Sequence, residues 1–205
     1  MDATSIWSKL GEFANSLPCG IEKWNKVWGA PIFTGTVFML CYGLAGLLML
    51  GVGKRVLGRE RILWRIGAFL CFFQTINTHL DLHAFVVTYG RCLAHAQGWY
   101  AARHSVQYGL LVTAIVVMVS LILIAMIYFR RNLAQNFLLI IGVSIFLGLT
   151  VAKGINYHDL EAYYAGNYGP FRGADLIELS GIFIAAAAAW LRRRRLMRAE
   201  SGQAT

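Results

Sequence analysis

Hydrophobic residues run along this chain in long blocks broken by short polar and basic clusters, a pattern of membrane-crossing helices rather than of alternating strands. Five blocks approach the ~20 residues that a helix needs to cross hydrocarbon: 31–52, 63–85, 106–129, 134–153 and 174–191. The pattern predicts an all-α integral membrane bundle of five transmembrane helices. An odd number of crossings puts the two termini on opposite sides.

Ahead of these blocks, Ile6, Trp7, Leu10, Phe13 and Leu17 recur at helical spacing opposite Lys9, Glu12 and Ser16. Ile21, Trp24, Val27 and Trp28 repeat the pattern beyond Pro18-Cys19-Gly20. Two short amphipathic helices in the outer interface are expected, with tryptophans at headgroup depth. The segment lacks the uninterrupted apolar core of a signal peptide, so no cleavage is expected. The chain thus divides into an interfacial segment (1–30), a transmembrane domain (31–191) and a basic tail (192–205), with no internal repeat.

Composition agrees: mean hydropathy is +0.55, and 58% of residues are apolar against 14% charged, outside the range of an ordinary soluble core. A net charge of +9 in a soluble protein would suggest nucleic acid. Here the basic residues sit at helix ends, so no nucleic-acid partner is expected. Lys54, Arg55, Arg59, Arg61 and Arg65 fill the first connection, Arg130 and Arg131 the third, and Arg192 to Arg195 with Arg198 the tail. All lie on one face, which the positive-inside rule makes cytoplasmic. The expectation is a multi-pass protein of the plasma membrane with its N-terminus outside and its C-terminus in the cytoplasm. Its first partner is the lipid bilayer. Small residues at Gly43 and Gly46, at Gly142 and Gly148 and at alanines 185–189 suit helix packing, a membrane-protein partner or a homo-oligomer. Cys41 and Cys71 fall inside spans; Cys19 and Cys92 share the outer side, where a disulfide and a free pair are both open.

The polar residues gather at one depth. The five histidines, His79, His83, His95, His104 and His158, fall at the outer helix ends with Asp81, Asp159, Glu161, Asp175, Glu178, Arg91, Arg103 and Lys153. Ionisable groups near a membrane interior pair or line a wet cavity, so a shared outward-facing pocket is expected. On one continuous helix His79 and His83 share a face, while Asp81 stands ~200° from His79, with Gln74, Asn77, Thr78 and Thr88 in an inward polar stripe.

His79, His83 and His158 are therefore the candidate metal ligands, with Asp159 or Glu178 as fourth ligand or general base and Asp81 as a further acid. Zinc, iron or copper would suit such donors; the pattern lacks the zinc-protease HExxH and any CxxC. Haem is the weaker cofactor reading, since an axial pair needs facing helices and no CxxCH is present. Arg91 and Arg103, with Tyr100 and Gln107 near Arg103, are candidate substrate-binding residues, either clamping carboxylates or holding an anionic headgroup. The reading is a metal-assisted enzyme acting on a lipid-linked or membrane-soluble substrate. Its alternatives are a non-catalytic accessory subunit, a haem-bearing redox subunit and a component of a proton or ion pathway.

The succession Asn77, Leu80-Asp81-Leu82, Gly90-Arg91, Gly98-Trp99-Tyr100, Arg103, Gln107, His158-Asp159 and Glu178 resembles a group of uncharacterised bacterial multi-pass proteins over about half the chain. The resemblance implies no activity. Glutamine or lysine often stands in that group where this chain has His79 and His83, which shifts weight toward Asp81, Arg91, Arg103, His158 and Glu178.

Overall fold

The computed structural model describes residues 3–27, 32–155 and 166–202. In chain order these form α1 (Ala3–Val27), α2 (Ile32–Arg55), α3 (Gly58–Leu80), α4 (Leu82–Ala96), a 3₁₀ turn (Tyr100–Ala102), α5 (Arg103–Tyr128), a second 3₁₀ turn (Arg130–Asn132) and α6 (Leu133–Ile155). A small antiparallel hairpin pairing Asn167 with Arg172 and Tyr168 with Phe171 leads into α7 (Gly173–Gly202). Among the described residues, four helices are long and apolar enough to cross a membrane: Phe33–Arg55, Tyr100–Tyr128, Leu133–Ile155 and Gly173–Ser201.

The core is built from α2, α3, α6 and α7, around Tyr42, Met49, Trp64, Phe146 and Ile182. Small residues set the helix spacings. Along the antiparallel pair α2 and α3, Gly53 faces Trp64 and Arg65, Gly67 faces Met49, and Gly46 faces Phe72 and Cys71. Where α6 crosses α7 the backbones nearly touch: a Cβ on Gly142 would stand 2.6 Å from the Ala185 nitrogen and 2.7 Å from the Gly181 oxygen. Ala185, Ala188 and Ala189 are buried there, the close-packing role expected of small residues. Gly43 differs, since a Cβ on it would meet nothing within 4 Å. α5 leans on α6, with Met118 against Gly148, and none of its residues is buried.

The expected second span, 63–85, is not one helix. α3 ends at Leu80, Asp81 takes a left-handed conformation at φ 52° and ψ 47°, and α4 starts afresh at Leu82. Nor is α3 apolar throughout, because Arg59, Glu60, Arg61 and Arg65 occupy its first turns. The N-terminal segment also departs from expectation, forming a single helix that runs through Pro18. The reason is its support: α4 braces α1 on both sides of the proline, with the Tyr89 hydroxyl donating to the Phe13 carbonyl at 3.0 Å and the Thr88 hydroxyl to the Gly20 carbonyl at 3.3 Å. A Cys19–Cys92 disulfide joins the two helices, resolving the open cysteine question. On α1, Phe13, Leu17 and Ile21 are exposed.

The basic clusters do meet at one end. Arg192 forks onto Glu60 through Nε to Oε1 at 2.9 Å and Nη2 to Oε2 at 3.0 Å, and the Trp64 indole N–H also donates to Glu60 at 3.3 Å. Arg55 approaches Glu200 at 3.5 Å, and the Arg59 guanidinium lies 4.6 Å from the Tyr128 ring centre. Residues 192–202 thus continue α7, and Arg192 is a packed ion-pair partner rather than a free tail charge.

Candidate functional site

At the end opposite the arginine cluster lies a cavity of about 1080 Å³, open on one side and walled by α4, the 3₁₀ turn, α5 and the last turns of α3 and α6. Phe73, Val86, Val87, Val106, Leu110 and Val151 give it apolar walls; Asn77, His83, Arg91, Tyr100, Arg103, His104, Gln107 and Thr150 give it polar ones. Four residues expected to bind substrate, Arg91, Tyr100, Arg103 and Gln107, therefore share one space. Arg103 lies 4.6 Å from the Tyr100 ring centre, and that ring stacks on His95 at 3.8 Å. The Gln107 amide donates to the Ile155 carbonyl at 3.3 Å, tying α5 to α6 at the cavity wall.

Behind this wall the polar stripe of α3 turns inward as expected. Asn77 donates to Gln74 at 2.9 Å, and Gln74 donates to the Thr150 hydroxyl of α6. Both amide side chains are buried, so their hydrogen bonds offset a desolvation cost of ~1–3 kcal/mol per group.

Deeper still, Glu178 has both carboxylate oxygens engaged: Oε2 receives Lys153 Nζ at 2.5 Å and Oε1 receives the Tyr42 hydroxyl at 2.7 Å. Lys153 also reaches Asp175 Oδ1 at 3.5 Å. One carboxylate thus joins α2, α6 and α7. Sequence reasoning missed Tyr42 and Lys153 as partners of Glu178; the available signal was a lysine and a tyrosine inside otherwise apolar spans, each needing a polar neighbour. Neither Arg91 nor Arg103 clamps Asp81 or Glu178, because those carboxylates are taken by His83 and by Lys153.

The elbow at Asp81 rearranges the histidines. His83, starting α4, lines the cavity, with Nε2 3.0 Å from Asp81 Oδ1. His79, in the last turn of α3, is exposed and is not part of the cavity lining. The shared face expected of His79 and His83 is lost because the left-handed residue between them breaks the helical phase. Asp81, expected on another face, becomes the neighbour of His83. His158 and Asp159 lie outside the described residues. Among the described residues no three His, Cys, Asp or Glu side chains are grouped so as to hold a metal ion, and the metal expectation finds no support there. Trp24 of α1 completes the elbow, its indole N–H shared by the Leu80 carbonyl at 3.1 Å and the Asp81 carbonyl at 3.2 Å.

His83 lies outside the four membrane-length helices. Burial lowers the pKa of its imidazole most; Asp81 and Glu178 oppose that effect and Lys153 adds to it, leaving the group below its ordinary value.

Comparison with protein-family models, with curated proteins and with solved structures finds no match. Apolar helices and the cavity's own chemistry are therefore what bear on function: four described helices are long and apolar enough to cross a membrane, which is compatible with a multi-pass membrane protein.

Proposed function

We propose that this protein receives a lipid-linked or membrane-soluble molecule in the cavity between α4, α5 and α6. The observation that carries the reading is the cavity's mixed lining: apolar side chains from α4 and α5 beside two guanidiniums and two imidazoles. Such a lining suits an amphiphile, whose chain needs no water and whose head needs partners. α5, with no buried residue of its own, supplies a wall that lipid can reach from the outer side of the helix.

In this reading α3 is the fifth crossing, since it runs antiparallel along α2 from Gly53 past Gly46 and is sheltered there despite its charged first turns. The arginine end faces the cytoplasm of a plasma-membrane protein by the charge rule, and the Cys19–Cys92 end faces the oxidising side, where disulfides persist. In this reading the N-terminus and the cavity lie outside. The metal-assisted chemistry expected from His79 and His83 is left out of the proposal, because those two histidines do not share a face.

A photo-crosslinking residue at Val87, inside the cavity, tests the reading against one at Leu123 on exposed α5. The Val87 protein, irradiated in native membranes, should carry an adduct of one discrete mass, and the Leu123 protein the broad mixture of bulk lipids. The same bulk mixture at both positions would overturn the proposal.

A further inference from the structure

Two features of the cavity have no use in a neutral, purely apolar binding site. The first is charge. Arg91 and Arg103 enter from different helices, and among the described residues neither has a carboxylate partner; the ion pairs there are Arg55–Glu200, His83–Asp81, Lys153 with Asp175 and Glu178, and Arg192–Glu60. Two guanidiniums with no carboxylate partner among the described residues, beside apolar walls, make an anion-binding place, and their planar forks suit a phosphate or carboxylate.

The second is the elbow. Asp81 is the one non-glycine with positive φ among the described residues, a conformation that aspartate tolerates better than most but that costs energy. It sets a carboxylate against His83 two positions on. Asp81 Oδ1 is buried and accepts no hydrogen bond, although His83 Nε2 is only 3.0 Å away. A buried carboxylate oxygen left so is paid for only if something compensates it, and an imidazolium does.

We infer that the molecule bound here carries an anionic head group, phosphate or carboxylate, held by Arg91 and Arg103, and that its binding draws one proton onto His83, whose imidazolium Asp81 then holds. The inference rests on the cavity reading and adds ligand charge and a proton to it. The charged and titratable groups facing His83 are Asp81 at the elbow, Lys153 of α6, Glu178 of α7, and Arg91, Arg103 and His104 around the cavity. Without a ligand, burial above all, with Lys153 adding to it, favours neutral imidazole. An anion arriving in the cavity reverses the balance. The proton taken up goes to His83 Nε2, 3.0 Å from Asp81 Oδ1, which then accepts the hydrogen bond it lacks without it. No bond is broken and no redox partner is needed. Because binding takes up a proton, affinity falls as pH rises above the titration of free His83, by up to ~10-fold per pH unit.

The test uses the full chain in phosphatidylcholine nanodiscs and three probes: dioctanoyl phosphatidylglycerol, whose charge is constant across the range, dioctanoylglycerol and inorganic phosphate. Calorimetry from about pH 6 to 8 in buffers of different ionisation enthalpy reads affinity and proton uptake. The phosphatidylglycerol should bind ~10-fold or more tighter than the uncharged glyceride, a preference lost in Arg91→Gln/Arg103→Gln. Its binding should take up close to one proton, none in His83→Gln, and the pH dependence should move to lower pH in Asp81→Asn. Phosphate alone binding with the same proton uptake supports the anion site and assigns it to a soluble anion. Equal binding of the two dioctanoyl compounds overturns the inference and leaves the cavity reading intact. Failure of all three to bind overturns the cavity reading. Tight phosphatidylglycerol binding without proton uptake by the unmodified protein removes His83 from the account, whatever the variants do.

Discussion

Replacing Lys153 by methionine tests whether Glu178 is a structural junction. The substitution keeps the side chain's length and apolar stem and removes the ammonium 2.5 Å from Glu178 Oε2. Glu178 keeps the Tyr42 hydroxyl on its other oxygen, but its side chain is only 9% exposed, so water cannot replace the lost cation. Breaking one partner of a buried ion pair costs ~3–5 kcal/mol. Lys153 itself is a quarter exposed and the Tyr42 bond survives, so the lower end, ~3 kcal/mol, is expected. In an equilibrium constant that is roughly 150-fold. Lys153→Met/Glu178→Gln removes the stranded charge while the new amide oxygen can still accept from the Tyr42 hydroxyl, and the double variant should recover to within ~1 kcal/mol of the parent. Sodium dodecyl sulfate titration of the bundle, followed by circular dichroism and tryptophan fluorescence, measures all three. A Lys153→Met protein as stable as the parent, or a double variant no better than the single, would refute the reasoning, and Glu178 would then be free for another role.

At the α6–α7 crossing, Gly142→Ala should cost ~1–3 kcal/mol because its Cβ meets backbone at 2.6 Å and 2.7 Å; Gly43→Ala, with nothing within 4 Å, should be neutral in the same titration. At the other end, Glu60→Gln leaves Arg192 without its two-point partner and should lower stability by ~2–4 kcal/mol, with Glu60→Gln/Arg192→Met recovering most of it. Reducing the Cys19–Cys92 bond, which spans a separation of 73 residues, should lower the thermal midpoint by the equivalent of ~2–4 kcal/mol, while Cys71→Ser leaves the response to reductant unchanged. Maleimide labelling of cells after mild reduction should reach Cys19 and Cys92 from outside and a cysteine placed at Arg194 only after permeabilisation; the reverse pattern overturns the assigned orientation.

Much of this architecture could be read from hydrophobic blocks and charges alone. The helices α2, α5 and α6 start and stop within a few residues of where the blocks do, because an apolar run of that length has few other places to go; α7 starts with its block but runs on through the basic residues to Gly202. The arginine clusters fall at one end because long cationic side chains seek the same interface. Tyr100, Arg103 and Gln107 share the cavity because one turn and one helix start keep them close in space, and Arg91 joins them from the neighbouring α4.

What was not legible depended on contacts made across the chain. The break at Asp81 has no glycine or proline to announce it, and helical periodicity carries straight through to His83; only the left-handed residue, held by Trp24 of a distant helix, shows the two histidines diverging. Lys153 and Glu178 look like separate rim charges until the Gly142 crossing fixes how α6 and α7 lie together. Glu60 and Arg192, 132 positions apart, meet because α3 and α7 share one core, and no local pattern links them.

The cavity itself is tested most directly by filling it. A side chain added at Gly90, which lines the cavity and whose Cβ would meet nothing within 4 Å, enters open space rather than a packed helix face. Native mass spectrometry of the protein released from its own membranes, beside Gly90→Trp, should show a near-stoichiometric ligand of discrete mass on the parent and its loss from an equally stable variant. A parent that carries no ligand, or a variant that keeps it undiminished, would contradict the account.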